Sequence, residues 1–168
     1  MFHRRLSQQR GQGLVEFAVI FPIFAFFLFA VIDGGLLMGR YNNVNNAAKE
    51  GARLGAVGAA QTDIVTRVKQ QAHGILDSVA ASGDCLTYDT DTKAICVEWI
   101  GGPSSPAELP GVVGSSVRVR VKYRYTFLTP LVNQLSGVNW DVTACAIQRL
   151  EMSVSSPPNL NAGVTACS

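Results

Sequence analysis

From Arg10 to Ile32 the chain reads RGQGLVEFAVIFPIFAFFLFAVI, and no charge falls between Phe17 and Ile32. Taken back to Gly13, this run makes about 30 Å of helix at about 1.5 Å per residue, one hydrocarbon thickness of a bilayer. It places Glu16 at one membrane edge and Asp33 at the other. An acid inside the apolar region is unusual for a secretory signal, so Glu16 calls for an explanation. Pro22 removes one backbone hydrogen bond from the run and is expected to bend it.

Charge placement says more than the total of +2 over 168 residues. Arg4, Arg5 and Arg10 precede the apolar run with no acid among them. The positive-inside rule keeps that end cytoplasmic and exports everything beyond Arg40. The four cysteines, Cys85, Cys96, Cys145 and Cys167, all lie in the exported part. An even count there reads as two disulfides. No CxxC motif or Cys/His cluster is present, so neither a metal site nor a cofactor is expected.

Beyond Asp33 the sequence turns small and polar without a proline. Ala47, Gly51, Gly55 and Ala59 form one i, i+4 row, and Ala48, Ala52, Ala56 and Ala60 form its neighbour. Glycine inside a helix costs roughly 1 kcal/mol against alanine, so Gly51, Gly55 and Gly58 imply a packing reason. Two readings stay open: the face lies on the protein's own sheet, or it meets the helix of a neighbouring subunit. Asn42, Asn43, Asn45 and Asn46 are weak helix formers, which predicts a kink or fraying there. A second amphipathic helix is expected to start at Thr62 or Asp63, carry Ile64, Val68, Ile75, Leu76 and Val79 inward, and end at Ser82–Gly83.

From Cys85 the period changes. CLTYDTDTKAIC reads as a hairpin turning at Thr90–Asp91, which sets Cys85 opposite Cys96 as the first disulfide. Gly101–Ser116 is loop. In the strand VRVRVKYRYTF, Val117, Val119, Val121, Tyr123, Tyr125 and Phe127 share one face, and Arg118, Arg120, Lys122 and Arg124 the other. A last strand runs from Trp140 to Leu150, and by elimination Cys145 pairs with Cys167. The fold class is therefore α+β, with a long helix on a small antiparallel sheet.

Three stretches resemble the TadE-like proteins, minor pilins (pseudopilins) of tight-adherence (Tad) pili within the type IV pilin superfamily. They are GQGLVEFAVIFPIF (Gly11–Phe24), NNAAKEGARLGA (Asn45–Ala56), and the alternating strand with FLTPL (Phe127–Leu131) and AIQRLE (Ala146–Glu151). The first is similar to the class III prepilin signature, which implies cleavage between Gly11 and Gln12 and makes Glu16 and Phe17 the assembly motif. The resemblance implies a type IV pilin-like layout: a cytoplasmic leader over 1–11, a transmembrane helix over 12–39, a helical stalk over 40–82 and a disulfide-stapled β domain over 83–168. It also implies a prepilin peptidase, other pilins and minor pilins, and the inner-membrane pilus assembly platform as partners. The protein would sit in the bacterial inner membrane with its C-terminal domain exported, or in the pilus itself.

Two further classes compete. The basic row from Arg118 to Arg124 is either a solvated face that guards a strand or a grip for nucleic acid or an anionic surface. Its aromatic neighbours lie on the opposite face, which argues against base stacking and nucleic acid. Catalysis has little support: His3 lies in the leader, His73 sits on the second helix, no phosphate-binding loop occurs, and Asp84, Asp89 and Asp91 read as turn chemistry rather than a calcium site. The alternative function is an uncleaved, signal-anchored interaction domain of the cell envelope.

Overall fold

The computed structural model describes residues 11–80, 83, 85, 88–100, 113–128, 140–154, 160–161 and 167. The leader, the tract 101–112 and the segment 129–139 lie outside it, as do Asp84 and the leader arginines. Among the described residues the fold is α+β and pilin-like. Two helices, α1 (Gln12–Ala56) and α2 (Gln61–Gln71), precede four strands, β1 (Lys93–Ile100), β2 (Ser116–Tyr125), β3 (Trp140–Arg149) and β4 (Leu160–Asn161). The chain groups into two compact units, Met1–Leu37 with Phe127–Gly137, and Met38–Thr126 with Val138–Ser168.

Helix α1 is helical throughout its 45 residues, through Pro22 and through the asparagines at 42–46. It therefore does not fray at the asparagines. Its end has a clear cause. Gly58 adopts φ +80°, a conformation that costs glycine little, and its N–H bonds to the Gly55 carbonyl at 3.0 Å. The Glu151 N–H then satisfies the Ala56 carbonyl at 2.8 Å. Gly58 is accordingly a helix terminator and not an interior glycine.

In the second unit the small-residue row meets the protein's own core. Val44, Ala47, Ala48 and Ala52 are buried, as are Gly51 and Gly55. A Cβ on Gly51 would overlap the Val68 side chain of α2, and one on Gly55 would come within 3.0 Å of Val117 on β2. The backbone of α1 therefore approaches α2 and the sheet more closely than alanine would allow. Ala59 lies past the helix and is half-buried. Of the two readings left open, the structure selects packing on the chain's own sheet.

Helix α2 departs from expectation at both ends. Ala60 precedes it in an extended conformation with no side-chain cap bond, so neither Thr62 nor Asp63 caps it. Asp63 instead lies in the first turn, where the helix dipole favours an acid. The helix stops at Gln71 rather than near Ser82, because His73 (φ 51°) and Gly74 (φ 81°) both turn left-handed. Ile75 and Leu76 are still buried, so the periodicity marked the right residues in a non-helical segment.

The sheet order is β3-β2-β1-β4. β2 pairs antiparallel with β1 and with β3, with Glu98 opposite Arg118, Cys96 opposite Arg120 and Arg120 opposite Cys145. β4 adds a short parallel edge to β1 at Trp99 and Ile100. Among the described residues the expected hairpin forms no ladder: β1 pairs with β2, and residues 88–90 make a turn. Both expected disulfides are present, Cys85–Cys96 and Cys145–Cys167. Beside the Cys85–Cys96 bond, the Val97 N–H donates to the Gly83 carbonyl at 3.1 Å.

Gly51→Ala should lower the stability of the detergent-solubilised chain. Overpacking against Val68 costs typically about 1–3 kcal/mol, which outweighs a helix-propensity gain of roughly 1 kcal/mol. Gly39→Ala, whose Cβ would meet nothing within 4 Å, should be neutral or stabilising. Thermal unfolding of the two variants side by side checks the contrast.

Candidate assembly site and the paired basic strand

Gly11 is the residue on which α1 starts, because its carbonyl accepts the Val15 N–H at 3.2 Å. Gln12 and Glu16 are one turn apart, so their side chains share a face, and the Gln12 amide donates to Glu16 Oε1 at 3.1 Å. Phe17 is exposed and stacks on Phe21 with ring centroids 5.3 Å apart. Around them the helix is bare: Leu14, Val15, Val19, Ile20, Ile23, Phe24, Phe26, Phe27 and Val31 are all exposed large apolar side chains. Its best window has a mean hydropathy of 2.6, long and apolar enough to cross a membrane. The arrangement is a carboxylate at the head of an uncovered apolar rod.

Asp33, at the far end of that run, is 3% exposed. Its Oδ1 accepts the backbone N–H of Leu128 at 3.0 Å, across 95 residues of sequence. Both residues belong to the first compact unit. The carboxylate is thus held by protein.

The basic row of β2 is paired along its length, buried at Arg118 and Lys122 and partly exposed at Arg120 and Arg124. Glu98 on β1 is 3% exposed and Arg118 is 4% exposed. Arg118 Nε donates to Glu98 Oε2 at 2.6 Å, its other nitrogen also contacts that oxygen, and Arg120 donates to Glu98 Oε1 at 2.8 Å. The Arg120 guanidinium further lies over the Tyr88 ring at 4.6 Å. Lys122 donates to the Asp89 carbonyl at 2.8 Å, and Arg124 grips Asp141 with two bonds of 2.8 and 3.2 Å. Each base thus has a named partner within the chain.

Burial raises the Tyr88 hydroxyl above its ordinary pKa, against the pull of Arg120, which lowers it. The hydrogen bond from Arg124 holds Asp141 below the usual carboxylate range, with Lys122 adding to the effect. The same bond raises Arg124, which stays charged throughout.

Neither metal nor catalytic chemistry finds a centre among the described residues. Cys85, Cys96 and Glu98 bring ligand atoms within 4.8 Å of one another, but the two sulfurs are joined and offer no thiolate. Asp89 and Asp91 are exposed, and His73 is an exposed turn residue rather than a helical one. An open depression beside α2 is lined by Glu50, Arg53 and Arg67, which are engaged with one another.

Sequence reasoning missed Glu98, the residue on which the basic row depends. The signal was a lone acid in the apolar strand KAICVEWI, but its register against Arg118 was hidden by the intervening loop. It also missed the Asp33–Leu128 bond, for which sequence carries no distance information.

Glu98→Gln should destabilise the fold by about 3–5 kcal/mol, the usual cost of leaving buried charge without its counter-ion, measurable by chemical denaturation. Because the folded pKa of Asp141 is depressed, its contribution is full above the unfolded value of about 4 and drains away as pH falls through the folded value. Asp141→Asn should therefore flatten the acid-side loss of thermal stability, and an unchanged pH profile would contradict the assignment.

No curated protein and no solved structure gives a match to this chain. A family model does: residues 11–53, starting at the helix-opening glycine and ending beyond the close-packed Gly51, match the TadE-like protein family. Over that segment the chain is similar to the TadE-like protein family.

Proposed function

We propose that this protein is a minor pilin, or pseudopilin, which a prepilin peptidase cuts between Gly11 and Gln12 and which takes part in assembling a Tad-type adhesive pilus. The observation that carries the reading is the placement of Glu16: a carboxylate one turn from Gln12, on a helix that starts at Gly11 and whose apolar surface its own chain leaves uncovered. The match over 11–53 supports the same reading. The role is structural and not enzymatic.

The mechanism follows from charge and solvent. An isolated carboxylate deep in a bilayer costs about 2.5–3.5 kcal/mol on insertion scales. Cleavage after Gly11 frees a cationic amine at Gln12. When such helices pack side by side, Glu16 of one subunit pairs with the terminal amine of its neighbour and offsets that cost. A helix N-terminus also favours the acid through the backbone dipole. The uncovered apolar side chains then bury against one another or against lipid, at roughly 1.5–3 kcal/mol for each large side chain fully covered. The partners in this reading are the peptidase, other pilins and minor pilins, the inner-membrane assembly platform and lipid. The protein is anchored in the inner membrane by α1, its N-terminus cytoplasmic and its disulfide-bonded domain exported.

One observation favours a second reading. Gln12 already donates to Glu16 within the same chain, so an uncut anchor can satisfy this carboxylate without a neighbour. The protein would then be an anchored interaction domain of the envelope.

Intact mass of the membrane-extracted protein separates the two. With the cognate peptidase the chain should begin at Gln12, free or cyclised to pyroglutamate; without the peptidase it should begin at Met1. A Met1 terminus despite active peptidase sinks the assembly mechanism. Pyroglutamate at Gln12 removes the amine that Glu16 would pair with, and limits the proposal to processing.

A further inference from the structure

The apolar run of α1 does not stop at Asp33. After Gly34 and Gly35 it continues through Leu36, Leu37 and Met38, and the first charged and amphipathic pair is Arg40–Tyr41. Leu36, Met38 and Tyr41 are exposed. An Arg–Tyr pair is the chemistry that anchors a span at the headgroup level. From Leu14 to Met38 the helix covers about 36 Å, more than the ~30 Å of a hydrocarbon core. On that measure Asp33, about 28 Å from Leu14, falls inside the apolar span and short of its edge.

A carboxylate at that depth needs protein cover, and it has it. Asp33 is 3% exposed and accepts the Leu128 N–H at 3.0 Å. Because that bond ties the Leu128 backbone to Asp33, whatever depth Asp33 has, Leu128 shares. Yet the Leu128 side chain is 66% exposed. An apolar side chain held at hydrocarbon depth and uncovered by its own chain has lipid as its natural solvent.

We propose that Leu128, clipped by its backbone to Asp33, is a second membrane contact of this protein, its side chain entering the outer edge of the bilayer. The inference rests on α1 crossing a membrane. Its partner is phospholipid acyl chain, and Asp33 is the positioning residue: it meets no lipid itself but fixes the depth of Leu128.

Photo-cross-linking of the full chain in phosphatidylethanolamine–phosphatidylglycerol vesicles tests it. Benzoylphenylalanine is placed singly at Leu128, at Phe26 within the span, and at the exposed Thr143 of β3. After irradiation, lipid adducts are read by mass. Adducts at 128 and 26 but not at 143 are expected. Adducts at 26 alone overturn the proposal and leave the membrane-spanning reading intact. No adduct at 26 overturns both. In the second arm, Asp33→Ala should cut the yield at 128 several-fold while the yield at 26, which reports insertion, holds. Asp33→Asn keeps an oxygen acceptor and should retain most of it. Equal yields in all three backgrounds would overturn the role of Asp33.

Discussion

Between Gly13 and Ile32 nearly every side chain of α1 is exposed, whereas Ala47, Ala48, Gly51 and Ala52 on the same helix are buried. One rod must satisfy two solvents. In its first part the side chains are large and apolar all round, which no aqueous protein surface tolerates and which lipid or other such helices do. In its second part they shrink to hydrogen and methyl, so the backbone can come within contact of Val68 and Val117. Had Gly51 carried a larger side chain, α2 and β2 would have to retreat, and the core of the second unit would open.

The second unit solves a different problem on the other face of its sheet. Arg118, Arg120 and Lys122 alternate with core valines and so point together to the side away from α1. Glu98 and the carbonyl of Asp89 supply the compensation there, Asp141 pairs with Arg124 at the margin, and Tyr88 lies over Arg120. The Cys85–Cys96 bond fixes the loop that brings Tyr88 and Asp89 to this face. The disulfide and the ion cluster therefore hold each other in place: the covalent bond shortens the loop, and the covered charges gain from the lower dielectric beneath it. A small core is here supplemented by covalent staples.

Glu16 and Asp33 show how the same residue type serves opposite ends of one helix. Asp33 is covered and bonded to a backbone amide of the chain itself. Glu16 is exposed and, among the described residues, accepts a bond from the Gln12 side chain. An acid already satisfied holds a fold together; an exposed one at the head of an apolar rod is available to something else. That asymmetry separates the structural carboxylate from the one assigned to assembly.

The apolar rod, its leader charges, the small-residue row, the alternation in β2 and the two disulfide pairings were all legible in the sequence, because each is a local period, a local composition or a short count. Ile75 and Leu76 were read as buried for the same reason, although His73 and Gly74 end the helix before them. What sequence could not carry was anything decided by register across a long connection. The partner of Arg118 is Glu98 only because β1 and β2 align in one way. Asp33 meets Leu128 across a sequence separation of 95. Local sequence determined which residues are apolar, small or charged and at what spacing. The tertiary structure alone decided which charges are neutralised, since pairing depends on distance in space and distance along the chain does not report it.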